Sequence, residues 1–148
     1  MKWLLDTNVV SEHVRSYPDR SVVAWMTQRS PDQTAISIVT LAELRVGAFA
    51  ADNKGRRLEL TTWVEDEIVN SFAGRILPLT AEILVDWLQL GRNIAAKGKT
   101  RSPADLLIAS TARFHDLIVV SRNAQDFAGT GVILYDPWTG KIHHLDTA

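Results

Sequence analysis

Four acidic residues stand where a carboxylate could do chemistry. Asp6 ends the apolar run Trp3, Leu4, Leu5 in "LLDTNVVSE". That run is too short for a buried helix and reads as a strand of a sheet covered on both faces. A carboxylate at the carboxyl end of such a strand lies where open α/β sheets place their ligands. Glu43 sits in "TLAELRVG", Asp105 in "SPADLLIASTA" and Asp126 in "VVSRNAQDF". Each also has a purely structural reading. Asp6 or Thr7 could cap a helix beginning near Asn8. Asp105 is the third residue after Ser102, with Pro103 between, a spacing close to a capping box. Asp126 suits the turn before Phe127 and Gly129, and Glu43, flanked by Leu41, Ala42 and Leu44, could snorkel from an apolar helix.

The elements around these residues alternate between strand and helix. Residues 2–5 read as a strand, 8 to about 14 as a short helix, and "PDRSVVAWMTQR" as a second helix with Val22, Val23 and Met26 at helical spacing. Thr34 to Ser37 alternates like a strand. From about Val39 the pattern turns helical, with Ala42, Val46 and Phe49 on one stripe and Leu41, Leu44 and Ala48 beside it. The spacing predicts one helix from Gly55 to about Phe72, a short strand in "RILPL" stopped at Pro78, and a helix from Thr80 to Ala96 ended near Gly98. It then predicts a helix from Ser102 to His115 and strands in "LIVV" and "VILY". The residues from about 139, with His143 and His144, read as a solvated tail. Strands alternating with helices imply an α/β fold, a mainly parallel central sheet flanked by helices, in a single domain over 1–148.

That architecture brings distant acids to one edge. A helix of about 13 residues spans roughly 20 Å, so the strand that returns beside it ends near the helix start, and Asp105 approaches Ser121, Asn123 and Asp126. Asp6 and the start of the Glu43 helix belong to the same edge. Carboxylates gathered within a few ångströms cannot all stay ionised without a cation. Oxygen ligands with no cysteine in the chain favour Mg²⁺ or Mn²⁺ over zinc. The chemistry such ions serve best is displacement at phosphorus, so hydrolysis of a phosphodiester is the reaction expected. Lys99 and Arg101 in "KGKTR", and Arg122, are candidates for substrate phosphates, although basic residues around Gly98 also suit a helix C-terminus.

Together with "DPW" near the end, the quoted motifs make nearly the whole chain resemble the PIN-domain ribonucleases, and among them the VapC-type toxins of bacterial type II toxin-antitoxin pairs, nearest the FitB-like branch. The resemblance implies a PIN-like three-layer fold in which Asp6, Glu43 and Asp105 bind metal and position a water. The fourth acidic position falls either at Asn123 or at Asp126. Thr7, Ser121 and Asn8 would be polar groups that orient the carboxylates. The resemblance further implies an RNA substrate, a cognate antitoxin that covers an apolar groove, a toxin homodimer, contact with DNA only through the antitoxin, and a bacterial cytoplasmic location. Trp25 and Trp63, on helices read as outer, are candidates for such a groove.

Composition agrees with an ordinary globular chain of 148 residues, 46% hydrophobic and 22% charged, with a formal net charge of −1. No overall positive field recommends nucleic acid, so binding must rest on local patches. No apolar run approaches the roughly 20 residues of a membrane span, and no disulfide framework is expected. Three other functions can be set against the pattern. A catalytically inactive binding module of the same fold would be expected to have lost acids. A phosphoreceiver domain would want an acceptor aspartate ending the third strand and a lysine ending the fifth, where this chain has "RILPL" and "VILY". A haloacid-dehalogenase-type phosphatase would want an aspartate where Asn8 stands.

Overall fold

The computed structural model describes residues 1–148. The strands are β1 (Trp3–Leu5), β2 (Thr34–Ser37), β3 (Ile76–Leu77), β4 (Ile118–Val120), β5 (Ile133–Asp136) and β6 (Lys141–His144). They form one sheet in the order β3-β2-β1-β4-β5-β6. All neighbours are parallel except β5 and β6. The helices are α1 (Thr7–Ser11), α2 (Arg20–Thr27), α3 (Ile38–Phe49), α4 (Lys54–Thr62), α5 (Val69–Ser71), α6 (Ala81–Ala96) and α7 (Pro103–His115).

Consecutive strand residues point to opposite faces, and here they feed two separate cores. Leu4, Ala35 and Val119 join Leu90 and Ile94 of α6 and Leu106, Ile108 and Ala109 of α7. Leu5, Ile36 and Val120 join Val9 and Val10 of α1, Val22 and Trp25 of α2, and Leu41 and Leu44 of α3. The result is the expected three layers. Chain order runs outward from β1 through β2 and β3, then resumes on the other side with β4 and β5, so the topological switch point lies between β1 and β4. In open α/β sheets this crevice is where ligands bind.

Several local expectations change. The helix predicted over 55–72 is a continuous helical run, but its middle, Trp63–Ile68, is a π turn between α4 and α5. Hydrogen bonds spanning five residues leave no signature in apolar spacing. Residues 141–144 form β6, antiparallel to β5, so His143 and His144 belong to an edge strand instead of a tail. On α3 the buried stripe is Leu41, Leu44 and Ala48, whereas Ala42, Val46 and Phe49 face outward. Trp25 is buried, its ring 5.5 Å from Tyr135 and 5.2 Å from Trp3, so it serves the core and not a groove. Trp63 is half-buried against the same core. No helix is long and apolar enough to cross a membrane.

Candidate active site

Register places Leu5 opposite Val120, so the residues that follow them, Asp6 and Ser121, meet at the switch point. The Asp6 N–H donates to Val120 O at 2.9 Å, carrying the ladder one step past the strand. Ser121 Oγ donates to Asp6 Oδ2 at 2.7 Å, and Asn8 Nδ2 donates to the same oxygen at 3.4 Å and to Ser121 Oγ at 3.2 Å. Asp6 Oδ1 accepts from the Thr7 N–H at 2.8 Å. The capping reading of Asp6 therefore holds as well, since this carboxylate begins α1 with one oxygen while the other is held by β4 and α1. Asn8 Oδ1 is buried without a hydrogen-bond partner. An orphaned acceptor at that place is costly unless something with positive character meets it.

The other acids approach from three elements. Ser37 caps α3 by accepting from Val39 N–H at 3.0 Å, which starts that helix at the sheet edge and places Glu43 in its second turn. Glu43 is exposed, and its Oε1 accepts from Thr7 Oγ1 at 2.7 Å. Ser102 caps α7 by accepting from the Asp105 N–H at 3.2 Å, with Pro103 at the first helical position. This is half of a capping box. Among the side-chain hydrogen bonds only the Asp105 backbone takes part, which leaves its carboxylate available to the edge. Asp126 is exposed on a 3₁₀ turn over Ala124–Phe127 that is anchored by the fully buried Phe127. Asn123 lies at the start of that turn, and its N–H donates to Ser121 Oγ at 3.2 Å.

Electrostatically the four acids act on one another. Burial first, and then the charges of Asp6, Asp126 and Glu43, together push the Asp105 carboxyl up to about 6, with the neighbouring Ser102 side chain opposing the shift. Burial also raises Asp6, opposed by the Ser121 and Thr7 hydrogen bonds and reinforced by Glu43 and Asp126. The four ion pairs of the chain, Arg15–Glu12, Arg45–Glu65, Arg56–Glu59 and Arg113–Asp86, include none of these acids. The donor set, carboxylate oxygens plus the unpaired Asn8 Oδ1, fits a hard divalent cation. It does not form a closed ligand shell, because no three acidic or histidine side chains surround a common point. The expected tight cluster is thus an acidic edge instead, with Glu43 tied to Thr7 and Asp6 tied to Ser121.

Two of the basic candidates line a cavity of their own. Lys99 and Arg101 line a cavity of about 510 Å³ with Gly129 and residues 144–148, shared with none of the four acids. Arg101 Nε is committed to Ala128 O at 3.1 Å. Arg122 lines a cavity with Asn123 and Asp126, its guanidinium 5.2 Å from the Trp138 ring centroid. The "DPW" motif is explained here: buried Asp136 accepts from the Trp138 N–H at 2.8 Å and closes the turn between β5 and β6. Sequence reading did not single out Lys141 or His143 for this edge, because β6 itself was not foreseen.

The arrangement of a carboxylate at the end of β1, a hydroxyl at the end of β4 and an acid opening α7 can be set against known proteins. The model of the family described as PIN domain matches residues 3–132. The chain belongs to the PIN-domain family. Among relatives of this PIN domain, Toxin FitB from Neisseria gonorrhoeae is 36% identical over 91% of this chain and 97% of its own length. VapC ribonuclease Y4jK from Sinorhizobium fredii is 34% identical over 91% of this chain and 96% of its own. The solved structure of FitAB bound to the IR36 DNA fragment superposes with a TM-score of 0.87 at 34% identity, covering 96% of this chain and 99% of that one. This PIN domain therefore falls in the FitB/VapC branch. The phosphoreceiver alternative fails on fold and residues alike, since β3 ends at Leu77 and β5 at Asp136.

Proposed function

We propose that the whole chain is one PIN domain acting as the toxin of a toxin-antitoxin pair, an endoribonuclease that hydrolyses RNA phosphodiester bonds with Mg²⁺ or Mn²⁺. The observation that carries this reading is the acidic edge at the β1/β4 switch point: Asp6 and Asp105 are both raised by burial and by neighbouring acids, with no protein cation to balance them. Similarity to a protein named as a ribonuclease and to one named as a toxin supports it.

In this reading Asp6, Glu43 and Asp105 hold the ion, and Asp126, acting on Asp6 and Asp105 through its charge, completes the site in preference to Asn123. A divalent ion supplies charge neutralisation at the phosphate and eases deprotonation of the attacking water. The chain supplies orientation. Ser121 and Asn8 fix Asp6, Thr7 fixes Glu43, and one of the carboxylates takes the proton of the water. The partner is a cognate antitoxin, with DNA reached only through it, as the DNA-bound FitAB complex suggests by analogy. A homodimer and a cytoplasmic location complete the proposal.

The test is cleavage of a mixed cellular RNA pool by the purified protein with Mg²⁺ or Mn²⁺, beside an Asp6→Asn variant of verified fold. Cleavage that disappears with chelator and in the variant supports the nuclease. A folded, antitoxin-free protein that cuts nothing under any of these conditions leaves the inactive binding module as the better account.

A further inference from the structure

The acidic edge raises a problem for any polyanionic substrate: four carboxylates repel the very strand they are meant to cut. With a net charge of −1 over the chain, attraction must come from a local patch beside them. One cavity has that position. It measures about 410 Å³ and lies between the 122–126 loop and the β5–β6 hairpin, where Asp126 and Asn123 form its border with the acidic edge. Arg122, Lys141 and His143 line it together with Gln125. Lys141 and His143 alternate with Ile142 along β6 and so share one face of the strand, and His144, on the other face, lines the separate cavity by Lys99.

Neither Arg122 nor Lys141 forms an ion pair with any acid of the chain. Both are exposed. Arg122 is held over the Trp138 ring, and the Trp138 backbone is fixed by buried Asp136. A cation packed on an aromatic face keeps its outer N–H groups free for phosphate oxygens. Asn123 and Gln125 each offer both a donor and an acceptor, the combination that reads exposed base edges.

Resting on the nuclease reading above, we infer that this cleft holds the single-stranded RNA segment flanking the cut site, with Arg122 and Lys141 on its phosphates and Asn123 and Gln125 on a base edge. The hairpin made by β5 and β6 is then a substrate-binding element.

The experiment measures fluorescence anisotropy of a labelled single-stranded RNA 20-mer of random sequence, in chelator to prevent cleavage, across a salt series. The proteins are the parent chain, Arg122→Ala, Lys141→Ala, the double variant, Lys141→Arg and an Arg92→Ala control on the exposed side of α6. Each loss of a phosphate contact is expected to weaken binding by about tenfold and to reduce the salt slope by about 0.7. Lys141→Arg should retain most of the affinity, and Arg92→Ala should match the parent. A thermal midpoint for each variant excludes loss of fold. If the parent binds and cuts RNA but the double variant binds with unchanged affinity and slope, the cleft assignment is overturned and the nuclease stands. If the parent neither binds nor cuts, both fall together.

Discussion

Glu43 and Arg45 are two residues apart on α3 and live in opposite electrostatic circumstances. Arg45 meets Glu65 across the surface with Nε to Oε1 at 2.7 Å and a second bond at 3.1 Å. Their hydrogen bonds hold Glu65 below the usual carboxylate range and raise Arg45. Glu43 meets a threonine hydroxyl and, beyond it, three more acids without a cation. The contrast shows that the fold readily pairs opposite charges where it needs only stability. At the switch point it tolerates like charges, a cost that the proposed cation site would offset.

The comparison is broken most severely by removing charge from the acidic side. Asp6→Asn is expected to lower RNA cleavage by at least about a hundredfold, while circular dichroism shows the fold intact. If cleavage survives, the acidic edge is no more functional than the surface pair.

A second prediction concerns stability. Asp105 is raised from 3.8 to about 6, so the folded chain binds this proton more tightly than the unfolded one. The associated stability is fully present below about pH 4 and is lost as pH rises through about 6. Fully realised, such a shift corresponds to about 3 kcal/mol, and solvent screening of this half-buried group reduces it to about 1–2 kcal/mol. Without divalent ions, Asp105→Asn is expected to unfold at higher denaturant than the parent at pH 7 and to flatten the dependence between pH 4 and 6. A variant less stable than the parent at pH 7 would show that the carboxylate is already compensated.

Chelator and Mn²⁺ sharpen the same contrast. At about a hundred times its dissociation constant the ion is expected to stabilise the folded parent by about 2.7 kcal/mol, read as a rise in thermal midpoint that Asp6→Asn lacks. Ser121→Ala, which removes the 2.7 Å bond to Asp6, is expected to cost about tenfold in cleavage. Smallest of all, Arg45→Gln should leave both cleavage and the thermal midpoint close to the parent, as exposed pairs contribute little.

Much of this site could be read from sequence because strand ends announce themselves. Trp3-Leu4-Leu5 before Asp6 and "LIVV" before Ser121 mark two parallel strands, and parallel strands end on a common edge. The helix start at Ser102-Pro103 fixes Asp105 in the same way. What escaped reading depends on tertiary choice. Two apolar stripes run along α3, and periodicity cannot select which faces the core; Leu41, Leu44 and Ala48 do, leaving Val46 and Phe49 outside. The sequence Lys-Ile-His-His carries no strand pattern, and β6 exists through backbone pairing with β5. Lys99 and Arg101 precede Asp105 in the chain, and the fold sets them along a cavity with Gly129 and the C-terminal residues, where Arg101 donates to Ala128 O. Trp25 was ambiguous because tryptophan serves cores and surfaces alike.

Calorimetric titration of Mn²⁺ into the purified, antitoxin-free chain at pH 7, repeated with Asp6→Asn, tests the central claim most directly. Saturable binding to the parent that is lost or greatly weakened in the variant is the expected result, because in the proposed reading the uncompensated acids hold the ion. No binding by the folded parent, or equal binding by both proteins, would contradict it.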